Sequence, residues 1–404
     1  MPGDRILPLM RSFLRDISFS AAAAGFVAVL VGFTSSVTLV FQAAQAFGAT
    51  PAQMTSWMWA LGLGMGLCSL VPSLLLRQPV MVAWSTPGAA VLASAGLAGG
   101  YSMGEAVGAF MLCAVLIALA GATGWFERAM HRIPAEIASA LLAGVLARFG
   151  MQAFVAAQTA LPLVLLMLFS YLIARRWLPR YAIVLTLAAA IAFTAAQGQI
   201  SLATIHLAWA VPVFTVPEFT ASAVIGLALP LFVVTMASQN LPGVAVIRAS
   251  GYPLPVSRLL TMTGLATLAL APFGAYALNF SAITAAMCMG PEAHEDRSRR
   301  YTAAVACGAL YVVIGLFGAV VTGLLTAFPR ELVVAIAGLA LLGTIGSGLS
   351  TALRDDAHRE AALITFLVTL SGVVIAGVGS AFWGVVAGVL TLFVQHYGRR
   401  PRDA

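Results

Sequence analysis

The chain has 404 residues, of which 61% are hydrophobic and only 9% are charged, and its mean hydropathy is +0.98. Soluble globular proteins carry about 25% charged residues, so this composition excludes a soluble globule and predicts a polytopic membrane protein. The net charge of +7 comes from arginines placed between apolar runs, so it reports orientation in a membrane and does not indicate a nucleic-acid partner.

The first half of the chain, residues 1–197, contains seven predicted membrane crossings. They are Ile17–Gln45, Met54–Leu76, Pro79–Leu97, Glu105–Phe126, Pro134–Gln152, Leu161–Ala174 and Ile183–Ala196. The third crossing is broken, because a short β-prone run precedes Ser85 or Thr86 as a helix N-cap and Pro87 at the first helical position.

The second half, residues 198–404, contains seven more predicted crossings. They are Phe219–Ile247, Leu259–Ala271, Phe273–Gly290, Thr302–Ala327, Glu331–Leu349, Glu360–Ala376 and Ala381–Gln395. The tenth crossing, Phe273–Gly290, is also broken: an extended stretch, Ala275–Leu278, precedes a half-helix that starts near Ser281. Such a break is tolerated at membrane depth only where the unpaired backbone lines a cavity or a site.

The two halves share one register. Thr86 aligned with Ser281 gives an offset of 281 − 86 = 195 residues, and Pro134 falls on Pro329 at the same offset. About fourteen crossings place the arginine-rich loops and both termini on one side, which the positive-inside rule makes the cytoplasm. Since seven is odd, the second half must be inverted, so the fold class is an all-α membrane protein with a 7+7 inverted repeat, as in secondary transporters.

The two half-helices are predicted to point their N-termini at a common pocket, which favours a bound anion. The predicted donors are the backbone at 86–88 and 281–283, aromatic rings could hold a flat substrate, and polar side chains of the first and eighth crossings could add contacts. The candidate substrate-binding residues are Thr34, Ser35, Ser36, Trp84, Ser85, Thr86, Pro87, Gly88, Ser238, Gln239, Asn240, Tyr276, Asn279, Phe280 and Ser281. Hydrogen bonding within the first helix and plain packing of the rings are the alternatives for 34–36 and for Trp84 and Phe280.

Ionisable residues give little sign of a coupling group. The acidic residues map to predicted helix ends or loops, and Glu136 and Glu331 in the first turn of their helices are most simply partners of the helix dipole. Their symmetry leaves a gate or coupling role as the alternative. The four cysteines lie in apolar runs without metal-ligand spacing, so neither a metal nor a cofactor is predicted.

Two stretches resemble the BenE-type benzoate:proton symporters: Ser238–Tyr252, and Asn279–Ala285 followed by Gly290–His294. The resemblance extends over the whole chain. It implies a bacterial inner-membrane carrier that imports benzoate with a proton, and more remotely the fold of nucleobase symporters and sulfate-type anion carriers. That fold divides into a core, crossings 1–4 and 8–11, and a gate, crossings 5–7 and 12–14.

Two departures from these relatives bear on the substrate. The nucleobase carriers have acids on their eighth and tenth crossings, and this sequence has none there, which suits an anionic substrate. Family members often carry His-Gly where this chain has Tyr276 and Ala277, so the pocket for the ring differs.

The hypothesis from sequence is therefore a proton-coupled secondary transporter for benzoate or a similar aromatic carboxylate. The alternatives are a carrier for a sulfate-like anion or a nucleobase, and an anion channel. A membrane-embedded enzyme is disfavoured, because the sequence has no His-Glu-x-x-His motif and no Asp-rich diphosphate site. A homodimer is left open, since the sequence does not determine the oligomeric state.

Overall fold

A computed structural model describes residues 11–34, 36–97, 100–198, 209–317, 328–373, 375 and 380–396. Helices dominate these ranges. In the first half they are α1 Phe19–Thr34, α2 Val37–Ala46, α3 Pro51–Leu76, α4 Thr86–Leu97, α5 Met103–Ala122, α6 Trp125–His131, α7 Ala135–Val155, α8 Ala157–Trp177 and α9 Ala182–Ala196. In the second half they are α10 Ala221–Ala249, α11 Val256–Leu270, α12 Ile283–Met289, α13 Tyr301–Leu316, α14 Arg330–Ala352, α15 Arg359–Ser371 and α16 Ser380–His396.

Several of these helices are long and apolar enough to cross a membrane. By length and composition six qualify within the described residues, or seven if α14, which is bent by 40°, counts as one span. The apolar helices α1, α9 and α16 are shorter. The predicted membrane protein is thus confirmed in this coarse sense, while the count of fourteen crossings and their inversion stay predictions.

Helix starts follow from capping residues that the sequence shows. Thr50 and Gln53 form a capping box at the start of α3, and Ser102 and Glu105 form another at the start of α5. Helices α7 and α14 each begin directly after a proline, Pro134 and Pro329. These starts lie within three residues of the predicted ones.

The first predicted crossing differs from the structure, because α1 ends at Thr34 and α2 begins at Val37. The hydroxyl of Ser36 donates to the carbonyl of Gly32 at 3.1 Å and accepts from the indole N–H of Trp84 at 2.9 Å. Short polar side chains compete with the backbone for hydrogen bonds, which explains why the polar run interrupts the helix.

Close glycine contacts join helices from the two halves. Helix α3 packs on α13, and α5 packs on α11. A Cβ on Gly62 of α3 would lie 2.6 Å from backbone atoms of Gly315, and one on Gly264 of α11 would lie 2.5 Å from the backbone nitrogen of Ala118. Small residues let membrane helices approach this closely.

A two-stranded antiparallel ribbon completes the fold, formed by β1 Val82–Trp84 and β2 Leu278–Phe280. Val82 lies opposite Phe280, Ala83 opposite Asn279, and Trp84 opposite Leu278. The two broken crossings therefore meet through their strands.

Candidate functional site

The ribbon places the starts of the two half-helices side by side. Strand β1 is followed by Ser85, whose hydroxyl oxygen accepts from the N–H of Gly88 at 3.1 Å. Strand β2 is followed by Ser281, whose hydroxyl oxygen accepts from the N–H of Thr284 at 3.3 Å. Of the two N-cap candidates the structure therefore selects Ser85, with Thr86 as the first helical residue.

This assignment changes the alignment of the two broken segments by one residue. Ser85 and Ser281 are equivalent by their cap bonds, so their offset is 281 − 85 = 196 residues. The helix starts after Pro134 and Pro329 keep the offset of 329 − 134 = 195. Under the predicted repeat, the two halves would differ by one residue between the broken segment and the next proline.

Helix α10 is hydrogen-bonded to both broken segments. The hydroxyl of Thr235 donates to Ser85 Oγ at 2.9 Å, and the backbone N–H of Phe280 donates to Asn240 Oδ1 at 3.0 Å. Between Thr235 and Asn240 the helix makes a π turn, Met236–Asn240. The i→i+5 bonding of a π turn brings residues five apart close to the same side of the helix, and such turns are frequent at functional sites.

A few of the predicted residues remain accessible at the half-helix starts. Thr86 and Pro87 in the first turn of α4, and Ser238 and Gln239 in the π turn, are half-buried. Ile283, the first residue of α12, is half-buried as well. These five partly exposed residues are together called the open face of the site, and the neighbouring Gly88 packs against Leu231.

The three predicted aromatic residues are buried. Trp84 packs its ring 5.6 Å from that of Phe33, and Phe280 is covered by Gly243, where a Cβ would lie 2.5 Å from that of Phe280. Tyr276 packs against Trp57 and Phe110, with ring centroids 5.9 Å apart in each case. Trp84 and Phe280 thus lie next to the caps, whereas Tyr276 is joined to α3 and α5.

The remaining polar candidates divide by position. Ser36 meets the site through Trp84, Ser35 lies outside the described residues, and Thr34 ends α1. Asn279 is fully buried in the ribbon; its amide nitrogen donates to the carbonyl of Ala277 at 2.9 Å, and its Oδ1 has no partner among the described residues. An unsatisfied buried acceptor is costly, so this atom marks a place where a donor would be stabilising.

The two glutamates predicted as dipole or gate residues contact neighbouring elements. Glu331 accepts from the hydroxyl of Thr159 at 3.4 Å, and Glu136 lies 3.7 Å from His358 Nδ1. The ligand atoms of Glu136, Asp355 and His358 all lie within 4.8 Å of one another, a spacing that could hold a metal ion. His358 Nδ1 and Asp355 Oδ2 also lie 2.9 Å apart, a contact within the cluster that needs no metal.

One buried carboxylate was missed by the sequence reasoning. The side chain of Asp16, just before α1, is only 3% exposed and forms ion pairs with Arg77, Arg15 and Arg299. It also accepts from the hydroxyl of Tyr301 at 3.0 Å. Arg77, Arg299 and Tyr301 are far away in sequence, so only the Arg15-Asp16 pair beside an apolar span could have signalled it.

Comparisons with known proteins find a matching family model, similar individual proteins and a solved structure. The family model described as "BenE: Benzoate membrane transport protein" matches residues 15–394. The inner membrane protein YdcO of Escherichia coli is 46% identical over 90% of this chain and 93% of its own length. The benzoate membrane transport protein of Acinetobacter baylyi is 39% identical over 96% of this chain and 98% of its own. A solved structure, the transmembrane domain of the cyanobacterial bicarbonate transporter BicA, aligns with 92% of this chain and 97% of that chain at 13% identity and a TM-score of 0.44.

Proposed function

The chain belongs to the benzoate membrane transport protein family, and from this we propose that it imports benzoate or a similar aromatic carboxylate, coupled to protons, across a bacterial inner membrane. The relative from Acinetobacter baylyi supplies the substrate class, and the relative from Escherichia coli supplies the location. The observation in this chain that carries the proposal is the meeting of two half-helix starts through a shared ribbon.

We place the substrate carboxylate at the open face of these half-helices. Helix α4 has twelve residues, and the first N–H groups of a helix lack partners within it, so the N–H of Thr86 is available to an anion. Gln239 in the π turn adds amide donors. The aromatic ring would lie against Pro87 and Ile283, while the buried rings of Trp84 and Phe280 support this surface.

The transport mechanism proposed is alternating access in a 7+7 inverted repeat, with residues 1–197 and 198–404 as the halves. The core would comprise α1–α5 and α10–α13, and the gate α7–α9 and α14–α16. Packing supports this division: within the core, α3 meets α13 and α5 meets α11, and within the gate, α7 meets both α14 and α15. In the proposed repeat, α3 and α5 of the first half correspond to α11 and α13 of the second half. Exchanging the halves therefore turns the α3–α13 contact into the α11–α5 contact, as an inverted repeat requires.

Orientation and coupling are part of the same proposal. Both termini and the arginine-rich loops are placed in the cytoplasm by the positive-inside rule. Glu136 and Glu331, at equivalent helix starts in the gate, are the candidates for a coupling or gating role, and a homodimer would place two such units side by side.

The decisive test is uptake of labelled benzoate into proteoliposomes under an imposed pH gradient. We expect saturable uptake that a protonophore abolishes and that protein-free liposomes do not show. Uptake of labelled sulfate or of a labelled nucleobase that excess benzoate does not inhibit, with no uptake of labelled benzoate, would instead identify another carrier. Conductance without gradient-driven accumulation would identify a channel and contradict the proposal.

The site itself is tested by Gln239→Ala, since its side chain is half-buried at the open face. A hydrogen bond to a charged group contributes about 1.5–3 kcal/mol, so the KM for benzoate should rise roughly 10-fold or more. Gln158→Ala, an exposed position on α8, is the matched control. Equal KM values for the two variants would show that Gln239 does not bind the substrate.

A further inference from the structure

Ser85 has an unusual hydrogen-bond environment at the start of α4. Its oxygen accepts two hydrogen bonds, from the N–H of Gly88 at 3.1 Å and from the hydroxyl of Thr235 at 2.9 Å. Ser85 and Thr235 are both fully buried. A serine oxygen offers two acceptor lone pairs and one O–H donor, so its acceptor capacity is filled and only its proton remains. No acceptor for that proton is found among the described residues.

The hydroxyl of Ser281 repeats the pattern across the ribbon. Its oxygen accepts from the N–H of Thr284 at 3.3 Å and from the hydroxyl of the same threonine at 2.7 Å. Each serine that follows a strand of the ribbon is therefore held as a donor by a threonine. At Ser85 the threonine comes from another helix, so the arrangement depends on how α10 packs and not on local sequence alone.

We infer that Thr235 is a positioning residue that fixes Ser85 as a hydrogen-bond donor and so selects for the deprotonated carboxylate. A carboxylate only accepts hydrogen bonds, whereas a neutral acid or an amide also carries an O–H or N–H donor that needs an acceptor. With both lone pairs of Ser85 occupied, a donor on the ligand has nothing to bind there and is left unpaired, which costs binding energy. This inference rests on the proposed function, because it takes the aromatic carboxylate as the ligand.

The π turn gives a physical reason for the position of Thr235. In a regular α-helix, at 3.6 residues per turn, residues five apart lie about 140° apart around the axis. Thr235 and Asn240 could then not both reach the broken segments. The π turn brings them toward one side, while Ser238 and Gln239 between them remain accessible. Helix α10 thus holds both segments and lines the open face at once.

The test compares the dissociation constants of benzoate and benzamide for the purified full-length protein. Wild type should bind benzoate at least 10-fold more tightly than benzamide. In Thr235→Val, Ser85 regains a free lone pair and can accept from an amide. The affinity for benzoate should then fall roughly 10-fold, and the ratio of the benzamide to the benzoate dissociation constant should approach one. Thr235→Ser, which keeps the hydroxyl, should restore both values. Thr186→Val is the control, since that buried hydroxyl donates only to its own helix, to the carbonyl of Ala182.

A double-mutant cycle separates positioning from a general loss of stability. If Thr235 acts through Ser85, Thr235→Val should change benzoate affinity little in a Ser85→Ala background. An unchanged benzoate-to-benzamide ratio in Thr235→Val, or additive losses in the double variant, would overturn the inference. Wild-type protein that binds no benzoate would instead overturn the proposed function.

Discussion

At the scale of single residues, the backbone before β2 is strained at Ala277. Its φ is +37°, in the left-handed region, although the residue is not glycine, and its side chain is fully buried. The left-handed conformation costs an L-residue about 1–2 kcal/mol, and such strain tends to persist at functional sites. A glycine at this position would avoid the strain.

We therefore predict that Ala277→Gly stabilises the protein. Relief of the strain is partly offset by about 0.4–1 kcal/mol from the greater entropy of the unfolded glycine chain, so a net gain of up to about 1.5 kcal/mol is expected. Ala275→Gly is the matched control, because Ala275 is equally buried and is not among the positive-φ residues of the described chain. Measured by thermal melting in detergent, the Tm of Ala277→Gly should be higher than that of wild type and the Tm of Ala275→Gly lower. The reverse order would contradict the proposed strain at Ala277.

Asp16 is predicted to stabilise the native state through its negative charge. Burial raises its pKa, but the hydroxyl of Tyr301 and the charges of Arg77 and Arg15 outweigh burial and leave the pKa below the ordinary value. A lowered folded-state pKa means that the stabilisation is fully present above the unfolded pKa of about 3.9 and is lost as the pH falls through the folded pKa.

Asp16→Asn should therefore destabilise the protein by about 1.5–3 kcal/mol at neutral pH, the range for hydrogen bonds to a charged group. The difference in Tm between wild type and variant should shrink as the pH is lowered below about 4. Asp356→Asn is the control, because the side chain of Asp356 is 82% exposed. A difference that stays constant with pH would show that the charge of Asp16 contributes nothing.

At the scale of secondary-structure elements, the glycines of α3 allow α13 to pack closely against it. A Cβ on Gly62 would meet the backbone of Gly315 and the carbonyl oxygen of Tyr311 at 2.6–2.9 Å. Backbone atoms cannot move away from an added methyl group as the end of a flexible side chain can. We predict that Gly62→Ala destabilises the protein by about 1–3 kcal/mol, the usual cost of overpacking.

Gly346→Ala in α14 is the matched control for this contact, because a Cβ there would meet no atom within 4 Å. It should be neutral or slightly stabilising, since alanine favours a helix over glycine by up to about 1 kcal/mol. Equal Tm changes for Gly62→Ala and Gly346→Ala would show that the α3–α13 contact is looser than the structure indicates.

Elements were more predictable from sequence than the contacts between them. The helix starts at Pro134 and Pro329 and the break before Ser85 follow from local capping and propensity, which act over a few residues. The pairing of β1 with β2 and the bond from Thr235 to Ser85 join residues far apart in sequence. No local signal specifies them, which is also why the buried charge of Asp16 was missed.

The candidate site was predicted in location more than in detail. Ser85, Asn240 and Ser281 come together at the ribbon as expected, since helix caps and buried amides have recognisable sequence positions. Which of the candidates are accessible depends on tertiary packing. Thr86 and Gln239 stay half-buried, whereas Phe280 is covered by Gly243 of α10 and Trp84 packs against Phe33 of α1, a distinction that side-chain type alone does not reveal.

At the scale of the whole molecule, hydrogen bonds connect α10 to both broken segments, and in the proposed mechanism these three elements move as one body. If that body moves against the gate, cross-links between α10 and the gate should stop transport. Ala245 of α10 and Ala138 of α7 line the same narrow crevice, and α10 packs on α7 along this face. A cysteine pair at these two positions would therefore bridge the proposed core and gate.

We predict that cross-linking Ala138→Cys with Ala245→Cys abolishes benzoate uptake and that reduction restores it. The background protein would carry serine at its four native cysteines, Cys68, Cys113, Cys288 and Cys307, all buried and free. The control pair is Ala143→Cys with Gly348→Cys within the gate, where a Cβ on Gly348 would lie 3.3 Å from that of Ala143, close to disulfide spacing. That pair joins α7 to α14 in a single body, so its cross-link should leave uptake intact. Full uptake with the first pair cross-linked would show that α10 and α7 do not move relative to each other, and the rocking of core against gate would have to be abandoned.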